Sequence, residues 1–490
     1  MASQPASRSA QPDGFAARVR SAVFWRWGSQ VLSQVITWTT TILVVRLLSP
    51  SDYGLFAMTQ AVLTALNFLN GYSFATSLIQ AREIDERRVG QVFGLLLVSN
   101  LVLAAAQVAM APVAAAYYGQ PLVADMLRVQ ALVYLATPFI ALPSSLLARW
   151  LQFRQQALVN LVCAVAGAVT ALGLAWSGYG VWALVWAPLV MFATRGLGLT
   201  LAAGGLVRPV FDFRGARDVI GFGSALTLCQ LFWIVQSQAD IVIAGRSFPV
   251  HELGLYSEAL FLVLIFTGRF LPPLNEVAFP AYAELRNAGK PLAPAFIAGV
   301  RMIMLVAAPF YIGLSLVADP LVRTFFGPKW TEMIPIVAGL AAIMPAMALQ
   351  IVCSPATNAL GRPGIYLSTS VAGAVIMPAC FLWGVNHGTA GLVVGGQPAA
   401  PPAAAAGAGL PPPSPEAPPL ALSNNLLPVV TGCSAMAIAV LALTPHLAGL
   451  PDVVRLFALS GLGAAVYLAT LWRFWPALVR DGWAMLRKKG

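Results

Sequence analysis

Charge is scarce in this 490-residue chain, where only 10% of residues are Asp, Glu, Lys or Arg, against about 25% in soluble domains. That supply cannot clothe so long a chain in water, so a string of soluble domains is excluded. Histidine is scarcer, with His251, His387 and His446 the whole stock. None has a partner at metal-ligand spacing, which argues against a zinc site or a Ser/His/Asp hydrolase. The five cysteines, Cys163, Cys229, Cys353, Cys380 and Cys433, all lie in apolar stretches without C-x-x-C spacing and read as small hydrophobes. No metal and no cofactor is expected.

What the chain does have is hydrophobic length, with 59% apolar residues. After a polar, basic tail at 1–21, the first apolar stretch runs from about Val23 to Leu48, too long for a signal-peptide core, and reads as a retained helix. Further stretches follow at about 54–80, 90–116, 123–147, 156–176, 180–206, 219–244, 253–274, 295–318, 333–357, 364–385, 425–444 and 454–474. Each can cross a hydrocarbon core of about 30 Å at 1.5 Å per residue, and none shows the alternation of a barrel strand. Loops such as Tyr118-Gly119-Gln120-Pro121 are short, which joins antiparallel neighbours and leaves no room for a soluble catalytic domain.

The net charge of +11 would suggest nucleic acid for a soluble protein; in a membrane protein it is a topology signal, and no nucleic-acid partner is expected. With a cytoplasmic N-terminus, the loops on that side hold Arg8, Arg18, Arg20, Arg26, Arg82, Arg87, Arg88, Arg149, Arg154, Arg208, Arg214, Arg217, Arg286, Lys290 and Arg362. The opposite loops before 395 hold Arg46, Arg246, Arg323 and Lys329. The basic tail with Arg473, Arg480, Arg487, Lys488 and Lys489 should be cytoplasmic too, which requires an even number of spans, about 14. The missing crossing falls between 386 and 424, where the uncharged Ala/Pro/Gly run at 395–415 denies an ordinary helix. It reads either as a poorly ordered loop or as a twelfth span of locally altered sequence.

The chain also repeats. Trp27-Gly28-Ser29 opens the first span and Phe222-Gly223-Ser224 the seventh. R-L-L-S-P-S-D-Y-G-L-F at 46–56 is echoed by R-S-F-P-V-H-E-L-G-L-Y at 246–256. The expected fold is therefore an all-α polytopic membrane protein with two six-helix lobes related by an internal repeat, plus terminal helices. The N-lobe covers 22–206, a basic linker 207–218, the C-lobe 219–396 with its sixth helix anomalous, an irregular segment 397–424, terminal helices 425–474 and a basic tail 475–490.

At Q-A-D-I-V-I-A-G-R (238–246) followed by E-L-G-L-Y-S-E-A (252–259) the sequence resembles the polysaccharide transporter family. These are the Wzx-type oligosaccharide flippases of the multidrug/oligosaccharidyl-lipid/polysaccharide exporter superfamily. R-W-L-Q-F-R at 149–154, F-P-A-Y-A-E-L at 279–285, F-G-P-K-W at 326–330 and A-L-G-R at 359–362 add to the resemblance, which extends over about 20–395. It implies a non-enzymatic flippase in the inner membrane, with cytoplasmic termini. The implied substrate is a polyprenyl-pyrophosphate-linked oligosaccharide moving to the outer leaflet for lipopolysaccharide, capsule or exopolysaccharide assembly. The phospholipid bilayer and a polysaccharide polymerase or export machinery are the expected partners. The alternatives are a drug or peptidoglycan-precursor exporter of the same superfamily, or a membrane-embedded polymerase or glycosyltransferase.

Ionisable groups at bilayer depth are costly and should face a cavity or a partner. Glu258, Arg269 and Glu276, spaced 11 and 7 residues apart, fall within about 20° of one helical stripe. Pro272 and Pro273 are expected to interrupt that helix before Glu276. Arg269, Arg301 and Arg128 are candidate phosphate binders, because a guanidinium stays charged and donates paired hydrogen bonds. The competing readings are an ion-paired face for Arg269, a snorkelling cation for Arg301, and an i, i+3 pair with Asp125 for Arg128. Asp240 is a candidate coupling or gating group with Glu258 and Glu276, or a structural partner of an arginine such as Arg246. Gln30 and Gln34, with Thr37 and Thr41, form a polar stripe, and Asn67 and Asn70 lie near one another on the second span; such stripes line a cavity for sugars or hold helices together. Asp52 and Glu252 suit helix caps, and Arg195 an orientation signal.

Overall fold

The computed structural model describes residues 12–67, 75, 78, 85–150, 152–212, 234–290, 293–359, 363–395, 419–476, 478 and 480. Among them every regular element is helical, and no strand occurs. Nine helical stretches of the described residues are long and apolar enough to cross a membrane, from Glu86–Tyr118 to Asp452–Phe474. Apolar side chains exposed on them, such as Val113, Val169, Leu197 and Ile438, face lipid and need no protein partner. The protein is an all-α, multi-pass membrane protein.

The chain divides into two compact units, Met1–Ile234 and Val235–Gly490. The first holds α1 (Pro12–Leu47), α2 (Pro50–Asn67), α3 (Glu86–Tyr118), α4 (Pro121–Gln130), α5 (Leu132–Ala136), α6 (Pro138–Arg149), α7 (Phe153–Trp176) and α8 (Trp182–Ala202). Its helix starts carry their own signals. Asp85 caps α3 by accepting from the Arg88 amide at 2.9 Å. Pro121 and Pro138 open α4 and α6, where the missing N–H costs nothing. Asp52 closes a reciprocal cap on α2, accepting from the Ser49 amide at 2.9 Å and the Ser49 hydroxyl at 2.7 Å, as its position in the first turn predicts. The fourth span, expected at about 123–147, crosses as one stretch from Pro121 to Arg149, with local interruptions at Ala131 and Thr137 where both residues keep right-handed helical dihedrals. α1 packs along α7 and α7 along α8, while α3 receives α4 and α6.

The stretch after α8 is strapped to α3. The Val210 amide donates to the Gly90 carbonyl at 2.9 Å, the Gln91 side chain donates to the Asp212 carbonyl at 2.8 Å, and Arg87 pairs with the Asp212 carboxylate at 2.7 Å. Gly90 and Gly94 are required here, because a Cβ on either would run into the backbone of this strap.

The second unit holds α9 (234–247), α10 (Val250–Asn287), α11 (Ala293–Leu316), α12 (Ala318–Phe325), a 3-10 turn (Pro328–Met333), α13 (Ile334–Ala359), α14 (Pro363–Val385), α15 (Gly388–Gly395), α16 (Pro419–Leu443) and α17 (Asp452–Phe474), with part of α9 lying before its boundary. The expected interruption at Pro272 and Pro273 does not occur, and the helical backbone of α10 runs through them to Asn287. Inside a helical bundle, neighbouring groups re-satisfy the carbonyls that proline leaves free. α13 packs on both α10 and α11, and α16 and α17 pack on each other and on α11 and α12. A core of Ala308, Val429, Met436, Val440, Leu459 and Tyr467 fills that last contact. Arg455 on α17 bridges Asp319 on α12 and its own Asp452, each at 3.2 Å. α14 and α15 fold back as a hairpin with Gly384 against Gly391. Most of the Ala/Pro run, 396–418, lies outside the described residues.

Candidate functional site

The acidic and cationic groups at depth in the second unit sit on α9, α10 and α11. Asp240 is buried on α9, and both its oxygens are engaged: Oδ1 accepts from the Ile241 amide at 2.8 Å and Oδ2 from the Tyr256 hydroxyl at 3.1 Å. Its partner is thus the tyrosine that closes the G-L-Y motif, one helix away on α10. Glu258, two residues further on, is partly buried and makes no hydrogen bond or ion pair among the described residues. Arg269 is exposed on the same helix, and the side chain of Glu276 lies outside the described residues. Deeper in the unit, Thr267 and Tyr311 hydroxyls meet between α10 and α11, beside the stacked rings of Phe266 and Phe310.

Arg301 is half-buried near the start of α11. Its Nη1 donates to Asn425 Oδ1 on α16 at 3.2 Å, and its Nε is buried with no hydrogen-bond partner among the described residues. A guanidinium placed this way keeps donor capacity for an incoming anion. Arg195 on α8 of the first unit has the same character, partly buried with an Nε that has no hydrogen-bond partner among the described residues, although its sequence position suggests an orientation signal.

The other candidates separate. Arg128 donates to Asp125 Oδ1 at 2.8 Å, with both side chains more than half exposed. Gln30 is exposed and Gln34 half-buried on α1, while the Thr37 and Thr41 hydroxyls bond back to the carbonyls of Ser33 and Thr37. Asn67 is exposed at the end of α2, and Asn70 lies outside the described residues. Within the second unit the structure therefore brings Asp240, Tyr256 and Glu258 into one neighbourhood on α9 and α10, and Arg301 to α16.

These groups fall inside a stretch with a recognisable pattern: the family model described as polysaccharide biosynthesis protein matches residues 43–335. The chain belongs to that family. Asp240, Tyr256, Glu258 and Arg301 lie within the family match, whereas Asn425 lies beyond it. Among similar family proteins, the succinoglycan biosynthesis transport protein ExoT of Rhizobium meliloti (strain 1021) is 24% identical over 369 residues, 74% of each chain. The lipopolysaccharide biosynthesis protein WzxC of Escherichia coli (strain K12) is 19% identical over 306 residues, 61% of each. The fold is shared with solved structures. The lipid II flippase MurJ in an inward closed conformation superposes with a TM-score of 0.74 at 12% identity, covering 93% of this chain and 99% of that one. An inward-facing multidrug resistance MATE family transporter of the MOP superfamily gives 0.57 at 15% identity, covering 77% and 95%.

In this family member sequence reasoning passed over Tyr256, Asn425 and the buried amides Gln107 and Gln130. The signal for the glutamines was present, since an amide in the middle of an apolar span has to find a partner. Tyr256 and Asn425 carried no such signal, because a tyrosine or asparagine near a helix end is unremarkable until its neighbour is known.

Proposed function

We propose that the protein is a flippase that carries a polyprenyl-pyrophosphate-linked oligosaccharide from the cytoplasmic to the outer leaflet of the inner membrane, by alternating access. The single observation that carries this reading is Arg301, a half-buried guanidinium inside an apolar helix with one nitrogen on Asn425 and another still able to donate. Such a group binds a diphosphate without needing to change its own protonation. The isoprenoid tail stays in lipid, the sugar passes the polar faces, and no covalent step is needed. Membership of a polysaccharide biosynthesis family and the transport role in the name of ExoT support the substrate class. Arg269, Arg128, Gln30, Gln34, Asn67 and Asn70 remain proposed substrate contacts, and Asp240, Glu258 and Glu276 proposed coupling or gating groups. Both termini are proposed to be cytoplasmic, and a polymerase or export machinery to receive the product.

A second reading has its own support. The fold match to the lipid II flippase covers nearly the whole of that chain, which favours a peptidoglycan-precursor exporter within the same mechanism. Deleting the gene and following lipid-linked intermediates separates the readings. Undecorated polysaccharide repeat units held in the cytoplasmic leaflet are the expected result. Accumulated peptidoglycan precursor supports the second reading, and units that cross but stay unpolymerised point to a polymerase.

A further inference from the structure

The fourth span meets α2 and α3 around a cluster of side-chain amides and hydroxyls. On α3, Asn100, Leu103, Ala104 and Gln107 share one face by their i, i+3, i+4, i+7 spacing, and all four are buried. On α4 and α5, Leu127, Gln130, Ala131 and Tyr134 do the same across the interruption at Ala131, and all four are again buried. Gln107 Nε2 donates to the Leu127 carbonyl at 2.7 Å, and Gln130 Nε2 donates to the Thr59 hydroxyl of α2 at 3.1 Å. The amide nitrogens thus tie three helices together.

Their oxygens are left over. Gln107 Oε1, Gln130 Oε1 and the Tyr134 hydroxyl are all buried without a hydrogen-bond partner among the described residues, on side chains that are 0%, 4% and 1% exposed. Polar atoms in such a setting are paired, with protein or with ordered water. The three orphans share a chemistry, since two can only accept and the third can donate. A water molecule has two hydrogens for the amide oxygens and a lone pair for the phenol. A cation would find acceptors here but no compensating charge: of the acids on these helices, Asp52 is held in the α2 cap, Asp125 pairs with Arg128, and Glu86 is exposed in the first turn of α3, far along the helix from Gln107.

We infer that the junction of α2, α3 and the α4–α5 interruption holds an internal water cluster, bonded to Gln107 Oε1, Gln130 Oε1 and the Tyr134 hydroxyl. It does not depend on the proposed substrate groups on α10 and α11. Water at this point gives the fourth span hydrogen-bond partners that can exchange, where direct side-chain pairs would fix one arrangement.

Tyr134→Phe tests this, because it removes only the hydroxyl and preserves shape. If that hydroxyl donates to water, the purified full-length variant melts lower than the parent by about 1 °C. If it is a dry, unpaired group, its removal leaves the Tm unchanged or raises it, and the inference is overturned. Melting the parent in matched sodium, potassium and choline chloride adds the second arm: equal values are expected. A stabilisation by one small cation that Tyr134→Phe abolishes would replace water with that ion. A structure in lipid nanodiscs at a resolution that shows ordered water should place density between the two glutamine oxygens.

Discussion

Alanine at Gly90 should release the strap that joins α8 to the rest of the chain. A Cβ at that position would lie 2.8 Å from the Arg208 carbonyl oxygen and 2.8 Å from Val210 Cγ2, and the first of these is backbone. Moving the strap away loses the hydrogen bond from the Val210 amide to Gly90, at about 0.5–1.5 kcal/mol. Residual overpacking adds about 1–3 kcal/mol. Alanine in a helix recovers about 1 kcal/mol of that. The net is about 2 kcal/mol against the docked strap, or about a 30-fold rise in its open population. Gly173→Ala is the control, since nothing lies within 4 Å of the added methyl and only the helix gain remains. The assay is tryptic cleavage after Arg214 in detergent-solubilised protein, read by mass spectrometry. A protease cradles several residues on each side of the bond, so Phe211 and Asp212 must leave α3 before it can cut. Cleavage 10-fold or more faster in Gly90→Ala, with Gly173→Ala like the parent, is expected. Equal rates in all three would show that the strap is not held by this contact.

Further perturbations probe the second unit. Arg301→Ala should abolish polysaccharide export at normal expression, with Arg301→Lys retaining part of it, measured by surface glycan; unchanged export in Arg301→Ala removes this residue from the site. Tyr256→Phe takes away a hydrogen bond to the Asp240 carboxylate and should lower stability by about 1–3 kcal/mol, read as a lower Tm. Trp330→Ala empties a fully buried site and should cost about 3–5 kcal/mol, enough to reduce the folded yield in membranes. A reporter fused after Lys489 should be active only as a cytoplasmic fusion, and an outer location means that 386–424 does not span.

The architecture was legible because its cause is local and repeated. Twenty apolar residues in a row can only cross lipid, and Asp52, in the first turn of α2, can be read as a cap from its position alone. Interruptions within spans were less legible. Pro138 marks the interruption at Thr137, as a proline does, yet the one at Ala131 has no proline beside it, while Pro143 lies inside α6 and Pro272 and Pro273 leave α10 helical. Proline removes a donor wherever it sits, but whether the helix yields depends on which neighbour can replace the bond, and that is tertiary. The site behaves similarly. Arg301 could be picked out as a cation within an apolar run, but its tie to Asn425 joins positions 124 residues apart. The i, i+3 pairing of Arg128 with Asp125 was accessible from spacing, whereas the choice of Tyr256 over Arg246 for Asp240 required the packing of α9 on α10.

The bridge from Arg455 to Asp319, together with the apolar seam under it, makes α16 and α17 a fixed attachment of the second unit. Phe457 is 70% exposed on α17 and Val169 is 65% exposed on α7 of the first unit, so both accept a spin label or fluorophore without disturbing a core. A label at Phe457 therefore reports on the second unit, and one at Val169 on the first. Their separation in a working bilayer becomes a direct ruler for the transport cycle, with every proposed binding group left untouched.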